Sequence, residues 1–212
     1  MSSQAQHASV RSAVRPEPAT ESAPLPAAVP FGDPAGLGLA AFALTTFVLS
    51  AVNAGWVPTD TAPVVFGLAL FYGGAVQVVA GIWEFANRNT FGAVAFCSYG
   101  GFWMSFWYLS AATKLGSDGA KGVGIYLVAW AIFTAYMTIA AFRTNWTVFL
   151  VFVALTLTYI ALALGAFIAP SPWNYVGGYL GIITALLAWY GSFATVCNFT
   201  FKRTLLPLGA RL

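Results

Sequence analysis

Charged residues are scarce in this sequence. Only 7% of its 212 residues are Asp, Glu, Lys or Arg, whereas soluble domains carry about 25%. Hydrophobic residues make up 59% of the chain. So few charges cannot cover a surface that faces water on all sides. Together with the long apolar runs described below, this shortage predicts an all-α integral membrane protein.

Residues that perform catalysis or hold metals are equally scarce. The single histidine, His7, lies near the N-terminus, and the two cysteines, Cys97 and Cys197, fall inside apolar runs. No two acidic residues share an apolar run, and no glycine-rich phosphate loop leads into a helix. Metalloenzymes and nucleophilic hydrolases need clusters of ligands or a nucleophile with a base. We therefore expect no enzyme activity, no metal site and no cofactor.

Six apolar runs are each long enough to cross a bilayer as a helix, which takes about 20 residues. They cover residues 36–56, 63–84, 91–112, 122–142, 147–169 and 175–198. The segments between them are short and carry Pro, Gly, Asn or charge, which interrupt helices. We predict a six-helix transmembrane domain over 33–201, a disordered Pro-, Ala- and Ser-rich cytoplasmic tail over 1–32, and a short basic cytoplasmic tail over 202–212.

The nine Lys and Arg residues are too dispersed to form the basic patch of a nucleic-acid-binding protein. Their placement favours one orientation instead, because cytoplasmic loops of membrane proteins are enriched in positive charge. With both termini in the cytoplasm, the inner side holds Arg11, Arg15, Arg88, Arg143, Lys202, Arg203 and Arg211. Only Lys114 and Lys121 fall outside. We expect a multi-pass protein of the plasma membrane with both termini cytoplasmic and lipid around it.

The stretch FGDPAGLGLAAF, residues 31–42, has the pattern of a helix start. Asp33 is suited to the N-cap and Pro34 to the first helical position. A helix N-terminus carries partial positive charge and unpaired N–H groups, which favour anions. Spacing alone leaves a simple cap as the commoner explanation, with an anion entrance as the alternative.

Polar residues inside the apolar runs are candidates for contact with a substrate, because such residues usually face a bundle interior or a water-filled path. The candidates are Thr45, Thr46, Asn53, Gln77, Ser98 and Glu84. For any single Ser or Thr, a bond to the backbone of its own helix is the commoner use. Glu84 ends the second run, where it is equally able to reach lipid headgroups.

Several motifs together resemble the acetate uptake transporter family, also called succinate–acetate permeases. They are DPAGLGLAAFALTT from Asp33, FYGGAVQVVAGIWEF, NTFGAVAFCSYGGFW and the closing KRTLLPLG. The family typically reads Asn-Pro-Ala-Pro-Leu-Gly-Leu at the first motif. Asp33 therefore replaces an Asn and Gly36 replaces the second Pro. Asp and Asn both cap helices, but Asp33 adds a negative charge where an anion would enter.

The resemblance implies six transmembrane helices per subunit, a ring-shaped homohexamer and one substrate path through each subunit. It implies carriage of acetate and related short carboxylates such as succinate, either as a proton symporter or as a channel. In the family a Phe, a Tyr and a Leu close the narrowest point of the path. By matching motifs they fall at Phe42, Tyr99 and Leu155.

Two functions follow as hypotheses. The first is a transporter or channel for acetate and similar short-chain carboxylates, coupled to protons because no Lys or Arg lies deep in a run to offset the cost of desolvating an anion. The second is a non-transporting membrane sensor or scaffold built on the same fold. Uptake of labelled acetate into proteoliposomes separates them.

Overall fold

The computed structural model describes residues 31–209, and within this range the chain forms six long helices. α1 is Ala35–Asn53; α2 combines Val64–Gly67, the π-helical Leu68–Val76 and Gln77–Ala86; α3 combines Thr90–Trp107 and the π-helical Tyr108–Ala112; α4 is Gly119–Ala141; α5 is Trp146–Phe167; and α6 is Pro170–Thr200. A single turn of 3₁₀ helix, Thr59–Thr61, lies between α1 and α2. Apart from residues 31–32, the N-terminal tail predicted from the sequence lies outside the described residues.

Five stretches of the described chain are long and apolar enough to cross a membrane: α1, the stretch Thr59–Ala86 that contains α2, α4, α5 and α6. α3 occupies the place of the predicted third span but is not one of these five, because its Gly, Ser, Tyr and Trp residues lower its mean hydropathy. Length and composition of the described helices therefore support a multi-pass, all-helical membrane protein.

The six helices pack as a ring. α6 lies along both α1 and α5, α5 also packs against α4, and α2 packs against both α1 and α3. Between α3 and α4 the ring is closed through side chains. The Phe102 and Tyr126 rings stack with their centroids 5.8 Å apart, and the Ser105 and Tyr126 hydroxyls are 2.7 Å apart. The interior of the ring is the core of the bundle.

Small residues allow α2 and α3 to approach closely. A Cβ atom added at Gly81 would lie 2.6 Å from the backbone nitrogen of Cys97. One added at Gly100 would lie 2.9 Å from the backbone oxygen of Gly74. These contacts involve backbone atoms, which cannot move aside as a flexible side chain can. Gly on facing helices thus sets the spacing of this pair.

The C-terminal segment, residues 201–209, is bound to the bundle. Asn198 accepts hydrogen bonds from the Leu205 and Leu206 amides at 2.7 and 3.0 Å, and donates one to the Leu206 carbonyl at 2.9 Å. The Thr147 hydroxyl donates to the Leu208 carbonyl at 3.0 Å, and the Trp146 amide donates to the Gly209 carbonyl at 2.9 Å. The segment thereby joins the end of α6 to the start of α5.

Candidate functional site

Phe42, Tyr99 and Leu155 belong to one buried hydrophobic cluster, each exposing 4% or less of its surface. The Phe42 and Tyr99 rings are in contact, with centroids 5.7 Å apart. Tyr99 also contacts Phe152, one turn before Leu155 on α5, at a centroid distance of 5.9 Å. The structure thus brings α1, α3 and α5 together at the level of the three residues. We call this level the constriction.

A cavity of about 220 Å³ lies at the end of the bundle where α1, α3 and α5 begin. We call it the terminal-side cavity because the C-terminal segment contributes Leu208 to its wall. Its polar lining residues are Asp33, Glu84, Asn89, Thr144, Asn145 and Thr195. Two acidic residues therefore face this cavity, while none of its described lining residues is basic.

A second, larger cavity of about 600 Å³ lies at the opposite end, and we call it the loop-side cavity. Its walls are mostly aliphatic and aromatic. The polar lining residues are Asn53, Ser110, Tyr126, Tyr159 and Asn174. None of its described lining residues carries a charge.

The order of lining residues along three helices places the constriction between the two cavities. On α1, Leu39 lines the terminal-side cavity and Leu49 the loop-side cavity, with Phe42 between them. Tyr99 has the same intermediate place on α3, and Leu155 on α5. The lining residues on either side are Phe96 and Phe102 on α3, and Phe152 and Tyr159 on α5. Two cavities approach one another through the bundle and are separated at one aromatic and aliphatic layer.

Three helix starts surround the terminal-side cavity, and at each one an Asp or Asn side chain accepts a backbone amide of the first turn. Asp33 Oδ1 accepts the Ala35 amide at 2.9 Å, Asn89 Oδ1 accepts the Gly92 amide at 3.0 Å, and Asn145 Oδ1 accepts the Val148 amide at 2.9 Å. α1 starts at Ala35 with Pro34 in the N-cap position, one residue later than the sequence pattern predicted. The Asp33 carboxylate still satisfies one free amide. The positive ends of three helix dipoles lie at this cavity.

The Tyr99 hydroxyl is already used inside the protein. It lies 2.9 Å from Thr134 Oγ1 on α4, and Thr134 in turn donates its hydroxyl hydrogen to the Trp130 carbonyl at 2.7 Å. Because Thr134 has only one hydroxyl hydrogen, Tyr99 is the donor in the pair. Tyr99 can accept a further hydrogen bond but cannot donate one without losing Thr134.

The other predicted contact residues divide into two groups. Asn53 lines the loop-side cavity and Glu84 lines the terminal-side cavity. Glu84 is 1% exposed; its Oε2 accepts a hydrogen bond from Asn89 Nδ2 at 2.8 Å, and its Oε1 has no partner among the described residues. The residues that line neither cavity are Thr45, Thr46, Gln77 and Ser98.

Thr45 packs between helices and does not face a cavity. Its hydroxyl donates to the Ala41 carbonyl at 2.9 Å, and its side chain fills the space beside Gly73 on α2. Thr46 Oγ1 and both amide atoms of Gln77 are buried without a partner among the described residues. Gln77 is therefore a buried polar group beside the core whose hydrogen bonds the described residues do not supply.

Sequence reasoning missed eight polar residues that line the cavities: Asn89, Ser110, Tyr126, Thr144, Asn145, Tyr159, Asn174 and Thr195. A usable signal existed for two of them. Asn89 and Asn145 each stand just before an apolar run, which is the N-cap pattern recognised at Asp33. Tyr159 has no such signal, because an aromatic residue in the middle of an apolar helix is ordinarily a core residue.

Comparison with known proteins gives a consistent assignment. A model of the GPR1/FUN34/yaaH family matches residues 16–208, so the match begins before Asp33. Accumulation of dyads protein 2 of Saccharomyces cerevisiae is 46% identical over 176 residues, covering 79% of this chain and 62% of that protein. Acetate permease A of Emericella nidulans is 38% identical, covering 84% of this chain and 66% of that protein.

Bacterial relatives are closer in length. The succinate-acetate/proton symporter SatP of Escherichia coli is 34% identical over 180 residues, covering 84% of this chain and 95% of that protein. The solved structure of the bacterial acetate channel SatP superposes with a TM-score of 0.79 at 32% identity, covering 85% of this chain and all of the other. The resemblance predicted from the sequence is thereby confirmed: the chain belongs to the GPR1/FUN34/yaaH family.

Proposed function

We propose that the protein is a membrane transporter or channel that carries acetate and related short-chain carboxylates across the constriction between its two cavities. The observation that carries this proposal is the order of lining residues on α1, α3 and α5, where Phe42, Tyr99 and Leu155 each lie between the two cavities. A sensor or scaffold has no need of two cavities that meet at one layer. The names of the SatP and acetate permease relatives supply the substrate class.

Protons accompany the substrate in this proposal. No Lys or Arg is among the described residues that line either cavity, so an anion crossing the aromatic layer finds no counter-charge. Moving a bare carboxylate into such surroundings is costly. Transfer as the neutral acid, or together with a proton, removes most of that cost. The buried carboxyl of Glu84, at the edge of the terminal-side cavity, is placed to exchange a proton with the substrate.

The membrane arrangement follows from charge and exposure. Among the described residues, Arg88, Arg143, Lys202 and Arg203 lie between or beyond helices at the terminal-side end. At the loop-side end, Lys114 lies between α3 and α4, and Lys121 is in the first turn of α4. We accordingly propose a plasma-membrane protein with six spans whose terminal-side cavity faces the cytoplasm. Large apolar side chains point outward along the helices, for example Phe71 at 67% and Ile139 at 76% exposure. Lipid and the neighbouring subunits of a ring-shaped homohexamer cover them.

Reconstituted proteoliposomes provide the test. The full chain should take up labelled acetate, and an inward proton gradient should raise the initial rate if protons are coupled. Empty liposomes and liposomes with a denatured sample correct for passive entry of acetic acid. Correctly inserted protein that shows no uptake above these controls would contradict the proposal and leave the sensor or scaffold as the better explanation.

A further inference from the structure

One polar group of the loop-side cavity is not used by any internal contact. Tyr159 lines this cavity and is 3% exposed. Its ring packs edge-on against Phe102 at a centroid distance of 5.4 Å. The hydroxyl makes no hydrogen bond to any of residues 31–209. Its oxygen is not among the fully enclosed polar atoms of the described chain that lack a partner, so the hydroxyl is open to the cavity rather than sealed in the core.

The other two tyrosines around this region differ from Tyr159. Tyr99 donates to Thr134, as described above. The Tyr126 hydroxyl lies 2.7 Å from Ser105 Oγ and 3.2 Å from the Phe102 carbonyl, so its hydrogen also has an acceptor within the protein. Of the three, Tyr159 alone keeps a hydroxyl hydrogen free for a partner that is not one of the described residues.

Tyr159 lies close to the constriction on the proposed path. It follows Leu155 by four residues on α5, which places it one helical turn, about 6 Å, toward the loop end and on the same face. A molecule in the loop-side cavity meets Tyr159 immediately before the constriction.

Two further polar side chains of the same cavity lie nearer its mouth. Asn53 ends α1 and Asn174 is in the first turns of α6, and neither side-chain amide forms a hydrogen bond within the described part of the chain. Gly165 makes room for one of them, since a Cβ atom there would collide with the Asn174 side-chain oxygen. Amide N–H groups are donors of the kind a carboxylate accepts.

We propose that Tyr159 is the hydrogen-bond donor that holds a carboxylate group on the loop side of the constriction, with the amides of Asn53 and Asn174 as donors nearer the mouth. This inference takes its ligand class from the proposed function. It assigns to the cavity a neutral binding site, which holds a carboxylate weakly because no cation is present. Weak binding suits a site that must release its ligand onward.

The experiment measures binding without requiring transport. Saturation-transfer NMR on the full chain in lipid nanodiscs reports the dissociation constant of acetate for the native protein and for Tyr159→Phe. The substitution keeps the ring that packs on Phe102 and removes only the hydroxyl. We expect the dissociation constant to rise roughly two- to tenfold, the equivalent of one net hydrogen bond. Tyr136→Phe is the matched control, because Tyr136 is 52% exposed and lines neither cavity, and its constant should change less than twofold.

The outcomes separate this inference from the proposed function. If Tyr159→Phe, with unchanged thermal unfolding, binds acetate as the native protein does, the inference is wrong. If neither acetate nor propionate binds the native protein, it is wrong as well. If acetate binds and Tyr159→Phe weakens binding while proteoliposome uptake is absent, the site stands and the transport proposal fails.

Discussion

The two cavities meet at one layer, yet they differ in size and in charge. The loop-side cavity is about 600 Å³ and has no charged lining residue within the described part of the chain. The terminal-side cavity is about 220 Å³ and is lined by Asp33, Glu84 and three helix starts. On the proposed path, a carboxylate would be met by neutral donors on one side, and by two carboxyl groups and three helix dipoles on the other. In the proposed transporter, selection by size would fall to the constriction, because the loop-side cavity is far roomier than acetate.

The same comparison explains why the terminal side can hold acidic residues beside the proposed anion path. Partial positive charge at the starts of α1, α3 and α5 offsets the carboxylates, within about one turn of each helix end. Asn89 and Asn145 cap their helices without adding charge. Asp33 accepts the Ala35 amide at the start of its helix and adds a charge. The charge of this cavity is thus a property of few residues and can be altered one residue at a time.

The largest expected effect comes from blocking one cavity. In a background with Cys97→Ala and Cys197→Ala, a cysteine at Leu162 lies in the wall of the loop-side cavity. A bulky, membrane-impermeant maleimide added outside should label it and reduce acetate uptake at least tenfold, because the adduct fills the path. Initial uptake before and after labelling measures the effect.

A cysteine at Thr195 is the matched control, since this residue lines the terminal-side cavity. It should resist the same reagent in sealed, right-side-out cells and react once they are permeabilised. The opposite pattern of labelling would reverse the proposed orientation. Full labelling of the Leu162 cysteine with undiminished uptake would show that the loop-side cavity is not on the path.

The next effect concerns the layer between the cavities. Leu155→Ala removes three carbons from the constriction, so a bulkier acid should pass more easily. We expect the ratio of lactate to acetate uptake to rise at least about threefold, because truncating one well-buried residue leaves a cavity in the layer. Leu187→Ala, on α6 at the edge of the same core, is the control for general loosening. An equal rise in both variants would place the size limit elsewhere.

The all-helical fold was within reach of the sequence and the two cavities were not, while the proposed constriction at Phe42, Tyr99 and Leu155 came from the family resemblance and stays a prediction. Long apolar runs and capping residues are local patterns, so all six helices were found within a few residues of their bounds. The partner of the Tyr99 hydroxyl could not be foreseen, since Thr134 lies 35 residues away on another helix. Nor could the C-terminal segment be seen to bind Asn198 and Thr147, because neutral hydrogen bonds across the bundle leave no periodic trace.

A smaller effect tests the charge difference between the cavities. In the native protein the Ala35 amide lies 2.9 Å from the Asp33 carboxylate oxygen. Asp33→Asn should keep this hydrogen bond and remove one negative charge. Two exposed charges interact by about 1 kcal/mol at 4 Å in water, so acetate uptake should rise by roughly two- to fivefold. Asp60→Asn makes the same change at the exposed loop end and should leave uptake within twofold. A fall in uptake by folded Asp33→Asn would mean that this carboxylate assists the substrate.

The smallest expected effect on uptake concerns the C-terminal segment, which contributes to the wall of the terminal-side cavity alone. Here we expect a measurable change in stability instead. Asn198→Ala deletes three hydrogen bonds that hold Leu205 and Leu206, and with them the approach of Leu208 to the cavity. We expect the free energy of unfolding to fall by about 1–3 kcal/mol, with uptake changed less than twofold because the constriction is untouched. Thermal unfolding in detergent measures the first and proteoliposome uptake the second. Asn198→Asp keeps the two accepted bonds and should recover most of the stability.

Loosening of the C-terminal segment in Asn198→Ala should also speed labelling of a cysteine at Thr195 in permeabilised cells and leave labelling of a cysteine at Leu162 unchanged. If both cysteines react faster, the segment supports the whole bundle, and the two cavities are not independent in the way their linings indicate.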